Sequence, residues 1–160
     1  MTIRPIRELG DPVLRTPSDE VTAFDGWLAA LVRDLEETVD HPGRAGLAAP
    51  QIGVGARVFS YNIDGVIGHM VNPVIVERSE EIQDGDEGCL SVPGIWAPTV
   101  RSLRCVAEGV DVDGKPVRIE GEGLMARALQ HEVDHLDGKL FLDRLTGDAR
   151  KAAFRALRER

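Results

Sequence analysis

Leu28, Leu31, Val32, Leu35 and Val39 recur at the i, i+3, i+4, i+7 spacing of a helix that buries one stripe. Asp25 stands just ahead of them as an N-cap, and His41-Pro42-Gly43 stops the helix. The stretch before it, Pro5 to Pro17, is irregular, with a turn at Gly10-Asp11-Pro12. The middle of the chain reads as strands over Arg57 to Ile63, Met70 to Val76 and Leu103 to Val112. Asp113-Gly114 carries the signal of a type I′ hairpin leading into Pro116 to Glu120. Pro116 suits a sheet edge or a strand start. A second helix is predicted from about Gly123 to Asp137, closed by Gly138, and a third follows Thr146 to near the end. Strands cluster between helices instead of alternating with them, so the expected class is α+β. With no composition break, linker or repeat, residues 1–160 read as one domain.

Composition narrows the function classes. A chain of 160 residues is one domain's worth and buries enough surface to fold without a disulfide or metal staple. The 42% apolar and 29% charged contents exclude disordered, collagenous and fibrous readings. The net charge of −8 counts against a dedicated nucleic-acid binder, so no DNA partner is expected. Two cysteines are too few for a disulfide framework and suit a reducing compartment. No apolar signal region opens the chain, and no run reaches the ~20 apolar residues of a membrane span. A soluble cytoplasmic protein with no membrane contact is expected.

Chemistry concentrates in Gln130-His131-Glu132-Val133-Asp134-His135 on the second helix. Four residues apart, His131 and His135 project from one face and can grip one cation. Glu132 lies about 100° further round, within reach of a water held there. Two solvated histidines on a surface helix are the alternative. A metzincin reading requires a third histidine at position 141, which is Phe141, and fails. A zincin reading has only Glu159 downstream, on a terminal turn prone to fraying. Of the remaining donors, Cys105 lies in a strand-like run as a structural thiol, and His41 and His69 read as solvated residues beside turns. Cys89, in Glu87-Gly88-Cys89-Leu90-Ser91, is a small buried hydrophobe if taken alone. Beside a histidine pair it becomes the third ligand, leaving a fourth position open as in catalytic sites.

Three segments together resemble the peptide deformylase family: Gly46-Leu47-Ala48-Ala49-Pro50-Gln51-Ile52-Gly53, Glu87-Gly88-Cys89-Leu90-Ser91 and Gln130-His131-Glu132-Val133-Asp134-His135-Leu136. They occur in the family's order at similar separations, and the resemblance covers nearly the whole chain. It implies antiparallel sheets packed around a central metal-binding helix, with N- and C-terminal helices. It also implies a hydrolase that removes the formyl group from the N-terminal formylmethionine of newly made polypeptides. Cys89, His131 and His135 would hold one divalent ion, Fe²⁺ by resemblance, with Zn²⁺, Ni²⁺ or Co²⁺ able to substitute. A thiolate on Fe²⁺ predicts oxygen sensitivity. Glu132 would move the proton, while Gln51 and the backbone N–H of Leu90 would stabilise the oxyanion.

Helix geometry adds a pocket. Leu124 and Ala128 precede His131 by seven and three residues, so they wall the methionine side chain or serve as plain core. Gly46 and Gly88 would let an extended substrate backbone approach, with ordinary turn glycine as the alternative. Trp96 rims the pocket or is a half-buried loop aromatic. Glu87 pairs with Arg101 to brace the Cys89 loop, or the two are solvated. Asp134 reads as an orienting or surface carboxylate.

Two departures from the family pattern stand out. Arg44-Ala45 replaces the usual glycine and branched apolar residue, and Arg127 falls where an apolar wall residue is usual. Long cations near the mouth would narrow the pocket or favour acidic residues after methionine, altering substrate preference without loss of activity. At the C-terminus, Lys151, Arg155 and Arg158 share one helix face. That face is a solvated stripe or, given the resemblance, a contact with the ribosome. Two rival functions remain: another metallohydrolase such as a peptidase, and an inactive deformylase-like binding protein whose pocket Arg44 blocks.

Overall fold

The structure, a computed structural model, describes residues 3–160. Helix α1 spans Gly26–Val39, and its first turn is capped by the Asp25 carboxylate, which accepts from the Leu28 amide at 3.1 Å. All five residues of the predicted stripe are buried. Burial of each leucine contributes about 2 kcal/mol.

Seven strands follow: β1 (Gly46–Ala48), β2 (Val58–Ile63), β3 (Val66–Arg78), β4 (Ile82–Cys89), β5 (Val92–Ser102), β6 (Arg104–Val110) and β7 (Pro116–Glu122). Helices α2 (Leu124–Leu136) and α3 (Gly147–Arg158) complete the chain. Five strands form one sheet in the order β1-β2-β3-β6-β7, and β4 and β5 form a separate ribbon. Every ladder between these strands is antiparallel. The class is α+β, as the clustering of strands predicts.

Adjacent residues of β2 show how the layers meet. Val58 packs in one core with Leu28, Leu31 and Leu35 of α1, while Phe59 packs in another with Leu129, Val133 and Leu136 of α2. Successive strand side chains face opposite ways, so the sheet carries a helix on each face. A third core joins Ile95 and Ala97 of β5 to Phe141, Leu142 and Leu145, and to Ala153 of α3. Helix α2 is therefore enclosed, with all residues from Ala126 to Leu136 buried. Polar groups on such a helix need partners or a ligand.

The hairpin before β7 differs from expectation. Only Gly114 has positive φ there, whereas a type I′ turn needs two such residues. Instead, residues 111–115 form a longer loop in which the Asp111 carboxylate accepts from the amides of Asp113 and Lys115. The pair of positive φ values, 52° and 79°, occurs at Asp64-Gly65, the two-residue link from β2 to β3. Pro116 does begin an edge strand. The ribbon β4–β5 is absent from the sequence expectations, as is the short β1.

Candidate active site

Helix α2 brings the two imidazoles together, with His135 Nε2 3.2 Å from His131 Nε2. Strand β4 delivers the sulfur. A register shift between Gly88 and Cys89 interrupts its ladder with β5, and Cys89 Sγ lies 3.3 Å from His135 Nε2. All three donor atoms fall within 4.8 Å of one another.

This cluster fits a cation. The Glu87 carboxylate, 2.5 Å from His131 Nδ1, accepts a hydrogen bond from that nitrogen and leaves Nε2 as the ring atom facing the cluster. His131 Nε2 and the Cys89 sulfur both face His135 Nε2; without a cation these three atoms must share protons, whereas one bound cation satisfies all three. Burial alone would push the Cys89 thiol up, but the two histidines outweigh it and hold the thiol well below its usual value. Burial would likewise push His131 down, yet Glu132, the Cys89 sulfur and Glu87 hold it well above the ordinary histidine range. Negative potential at a set of converging soft and borderline donors suits a divalent metal.

Beside the cluster, Glu132 is buried, its Oε2 is 3.9 Å from His131 Nε2, and its Oε1 has no hydrogen-bond partner among the described residues. Burial pushes its carboxyl above the usual range, offset in part by the two histidines. Gly46 makes room for it: a Cβ there would lie 2.5 Å from Glu132 Oε2. Gln51 is also buried. Its Oε1 accepts from the Ala48 amide at 2.9 Å, and its Nε2 donates to Ser91 Oγ at 3.1 Å while facing Cys89 Sγ at 3.7 Å. These groups open onto a cavity of about 660 Å³.

A sequence model of the family described as Polypeptide deformylase matches residues 3–151. The chain belongs to that family. It is 58% identical over 159 residues to the peptide deformylase of Acidothermus cellulolyticus, covering 99% of this chain and 88% of that protein. Among solved structures, the peptide deformylase of Legionella pneumophila superposes with a TM-score of 0.90 at 42% identity, covering 99% of this chain and 95% of that one. The peptide deformylase of Synechococcus elongatus, solved in complex with actinonin, gives a TM-score of 0.89 at 32% identity over 97% and 87%.

In this deformylase-family chain the cavity gathers nearly every residue singled out from sequence. Arg44, Gly46, Gln51, Gly88, Cys89, Leu90, Trp96, Leu124, Ala128, His131 and Glu132 line it, whereas His135 is fully buried and does not. Ala128 is a buried wall residue, while Leu124 at 56% and Trp96 at 68% exposure form the rim. Gly88 lies beneath the indole, since a Cβ there would meet Trp96 Cε3 at 2.7 Å.

Some of the other expectations hold and others need correction. Glu87 and Arg101 are a buried pair, with Arg101 Nε and Nη2 donating at 3.0 and 2.6 Å. Asp134 orients no histidine. It accepts from Arg101 at 2.7 Å and from Arg144 at 3.0 and 2.7 Å, and so ties α2 to its surroundings. His69 is a strand residue, not a solvated one: its Nε2 accepts from the Val112 amide and its Nδ1 is 3.5 Å from Glu36. Arg127 lines the cavity, but it is buried against Glu87 instead of lying free at the mouth. Arg44 does line the cavity, but its Nη1 donates to the Thr38 carbonyl at the end of α1, at 2.7 Å. Cys105 is the buried thiol expected.

Sequence reading missed Ser91, Arg144, Asp64 and Asp86. Ser91 closes the Cys89 motif itself, and that membership was its signal; in the structure it is fully buried. Arg144 had none, because its partner Asp134 is ten residues away across a turn.

Proposed function

We propose that this chain is a metal-dependent amide hydrolase that removes the formyl group from the N-terminal formylmethionine of newly made polypeptides. One observation carries the reading. Three converging metal donors stand beside a buried carboxylate with a free oxygen, at the base of a cavity wide enough for a methionine side chain. Cys89, His131 and His135 would hold the ion, with Fe²⁺ the metal proposed. Bound there, it would supply Lewis acidity toward water and the formyl oxygen.

The chain's own groups account for the remaining steps. Ala128 and Leu124 receive the methionine side chain, and Gly46 and Gly88 admit the peptide backbone. Glu132 takes the proton from the attacking water at Oε1 as oxygen adds to the formyl carbon. Gln51 Nε2, held in place by its bonds to Ala48 and Ser91, donates to the oxygen that gains negative charge, together with the Leu90 amide. Glu132 then passes its proton to the leaving nitrogen as the C–N bond breaks, giving formate and a free amine.

An anaerobic assay of formyl-Met-Ala-Ser with formate detection tests this reading. Metal-loaded protein is expected to release one formate per peptide. Cleavage of internal amides without formate, or full metal content without turnover, would refute it and favour the peptidase or the inactive-protein alternative.

The exposed charges at the mouth reverse the preference expected from sequence. Arg127 is paired with Glu87 and Arg44 turns its Nη1 to the Thr38 carbonyl, so the charge of Arg44 is outnumbered by Asp64 and Asp86, which line the cavity exposed with no ion pair among the described residues. Formyl-Met peptides with Lys downstream should therefore exceed those with Asp in kcat/KM by about two- to five-fold. Asp86→Asn should shrink the ratio. An unchanged ratio would dismiss the role of Asp86.

The cytoplasm is the proposed compartment; among the described residues no helix is long and apolar enough to cross a membrane. Lys151, Arg155 and Arg158 are exposed on α3, and contact of this stripe with ribosomal RNA phosphates is proposed. Neutralising all three should abolish salt-sensitive co-sedimentation with ribosomes. Unchanged co-sedimentation would count against the contact.

A further inference from the structure

We propose that Arg127 is a positioning residue that fixes the sulfur-bearing ribbon at its working distance from the histidine-bearing helix. The metal donors come from two separate elements, Cys89 from β4 and both histidines from α2, so their convergence depends on what joins ribbon to helix. Arg127 Nη1 makes that join directly. It donates to Glu87 Oε1 at 2.7 Å and to the Thr99 carbonyl at 2.9 Å, reaching both strands of the ribbon from one helical position.

Glu87 stands two residues before Cys89, and its other oxygen meets His131 Nδ1. Arg101 also holds Glu87, but Arg101 lies on β5, so that bond stays within the ribbon. Arg101 reaches the helix through Asp134. Gln130 also bonds the backbone of Ser102 at the far end of β5, and two charged cross-ties bracket His131, one four residues before it at Arg127 and one three residues after it at Asp134. These offsets place both on the helix face that His131 shares.

Keeping a guanidinium here has a cost, because Arg127 Nη2 is buried with no partner and Arg127 is only 8% exposed. An apolar side chain of similar length would avoid it. The tie to Glu87 and Thr99 is what the structure shows in exchange.

This proposal rests on the metal assignment above, and the experiment separates the two. Native, Arg127→Leu and Arg127→Lys proteins are loaded with Co²⁺, and metal loss to excess chelator is followed beside the thiolate-to-cobalt absorption band. Arg127→Leu should lose metal about 10- to 100-fold faster, with a shifted or weakened band. Arg127→Lys, which keeps one donor toward Glu87, should recover part of both. Native rates and an unchanged band in folded Arg127→Leu, or in Arg127→Lys should the leucine variant fail to fold, would overturn the proposal even where thermal stability falls. Native protein that takes up no cobalt would instead overturn the metal assignment itself.

Discussion

Glu132→Gln protein is expected to bind metal at the native stoichiometry and to lose about 10²–10⁴-fold of kcat on formyl-Met-Ala-Ser. The substitution keeps the volume of a side chain that packs against Gly46, where a Cβ would already collide. It also leaves the three donor atoms untouched. What disappears is an oxygen able to take and return a proton. Glu132 Oε1 has no partner, so no internal bond competes for that proton. The pH dependence follows from burial, which pushes the native carboxyl up. Only the ionised form accepts a proton, so native kcat should rise with pH through that raised value, and the variant should lack this acid limb. A loss under ten-fold, with the limb intact, would remove Glu132 from the proposed mechanism.

Arg101→Leu is expected to cost about 3–5 kcal/mol, because it strips a buried cation from between two buried carboxylates. Glu87 and Asp134 both accept hydrogen bonds from this guanidinium, whose side chain is 4% exposed. For a chain of this size the loss lowers Tm by roughly 6–20 °C. Burial would push Asp134 up, but Arg144 and Arg101 outweigh it and hold the carboxyl below its usual range. Glu87 is held below its usual range as well, by His131 and Arg101 against its burial. Carboxyls with depressed folded values stabilise the fold above the unfolded-state value and cease to do so as pH falls through the folded one. The stability gap between native and variant proteins should therefore be full near neutral pH and narrow in acid. A gap independent of pH, measured by thermal unfolding, would mean that Arg101 acts through packing alone.

Legibility from sequence followed the chemistry of each element. Helix α1 is readable from its Asp25 cap and apolar period, and α2 from its paired histidines and the closing Gly138, which takes φ of 76°. The ribbon was not, because β4 reads Ile82-Gln83-Asp84-Gly85-Asp86-Glu87-Gly88, with few strand-forming residues. The inward positions of β5 include Thr99, whose hydroxyl donates to the Ala97 carbonyl, and Arg101, buried to serve Glu87 and Asp134, so apolar alternation breaks where the site is built. The metal donors were visible as residue types at fixed spacing. Their supporting ion pairs were not, since Glu87–Arg127 and Arg101–Asp134 link residues 40 and 33 apart. Charge at the mouth was misjudged for the same reason: spacing locates Arg44 and Arg127 but not the acceptors that occupy them.

Metal titration of metal-free protein under anaerobic conditions, with formate release read at each addition, tests the central claim most directly. Turnover should rise linearly with added Fe²⁺, level off at one equivalent per chain, and vanish in Cys89→Ala across the same range. Full turnover by the metal-free chain, or a native titration curve in Cys89→Ala, would contradict it.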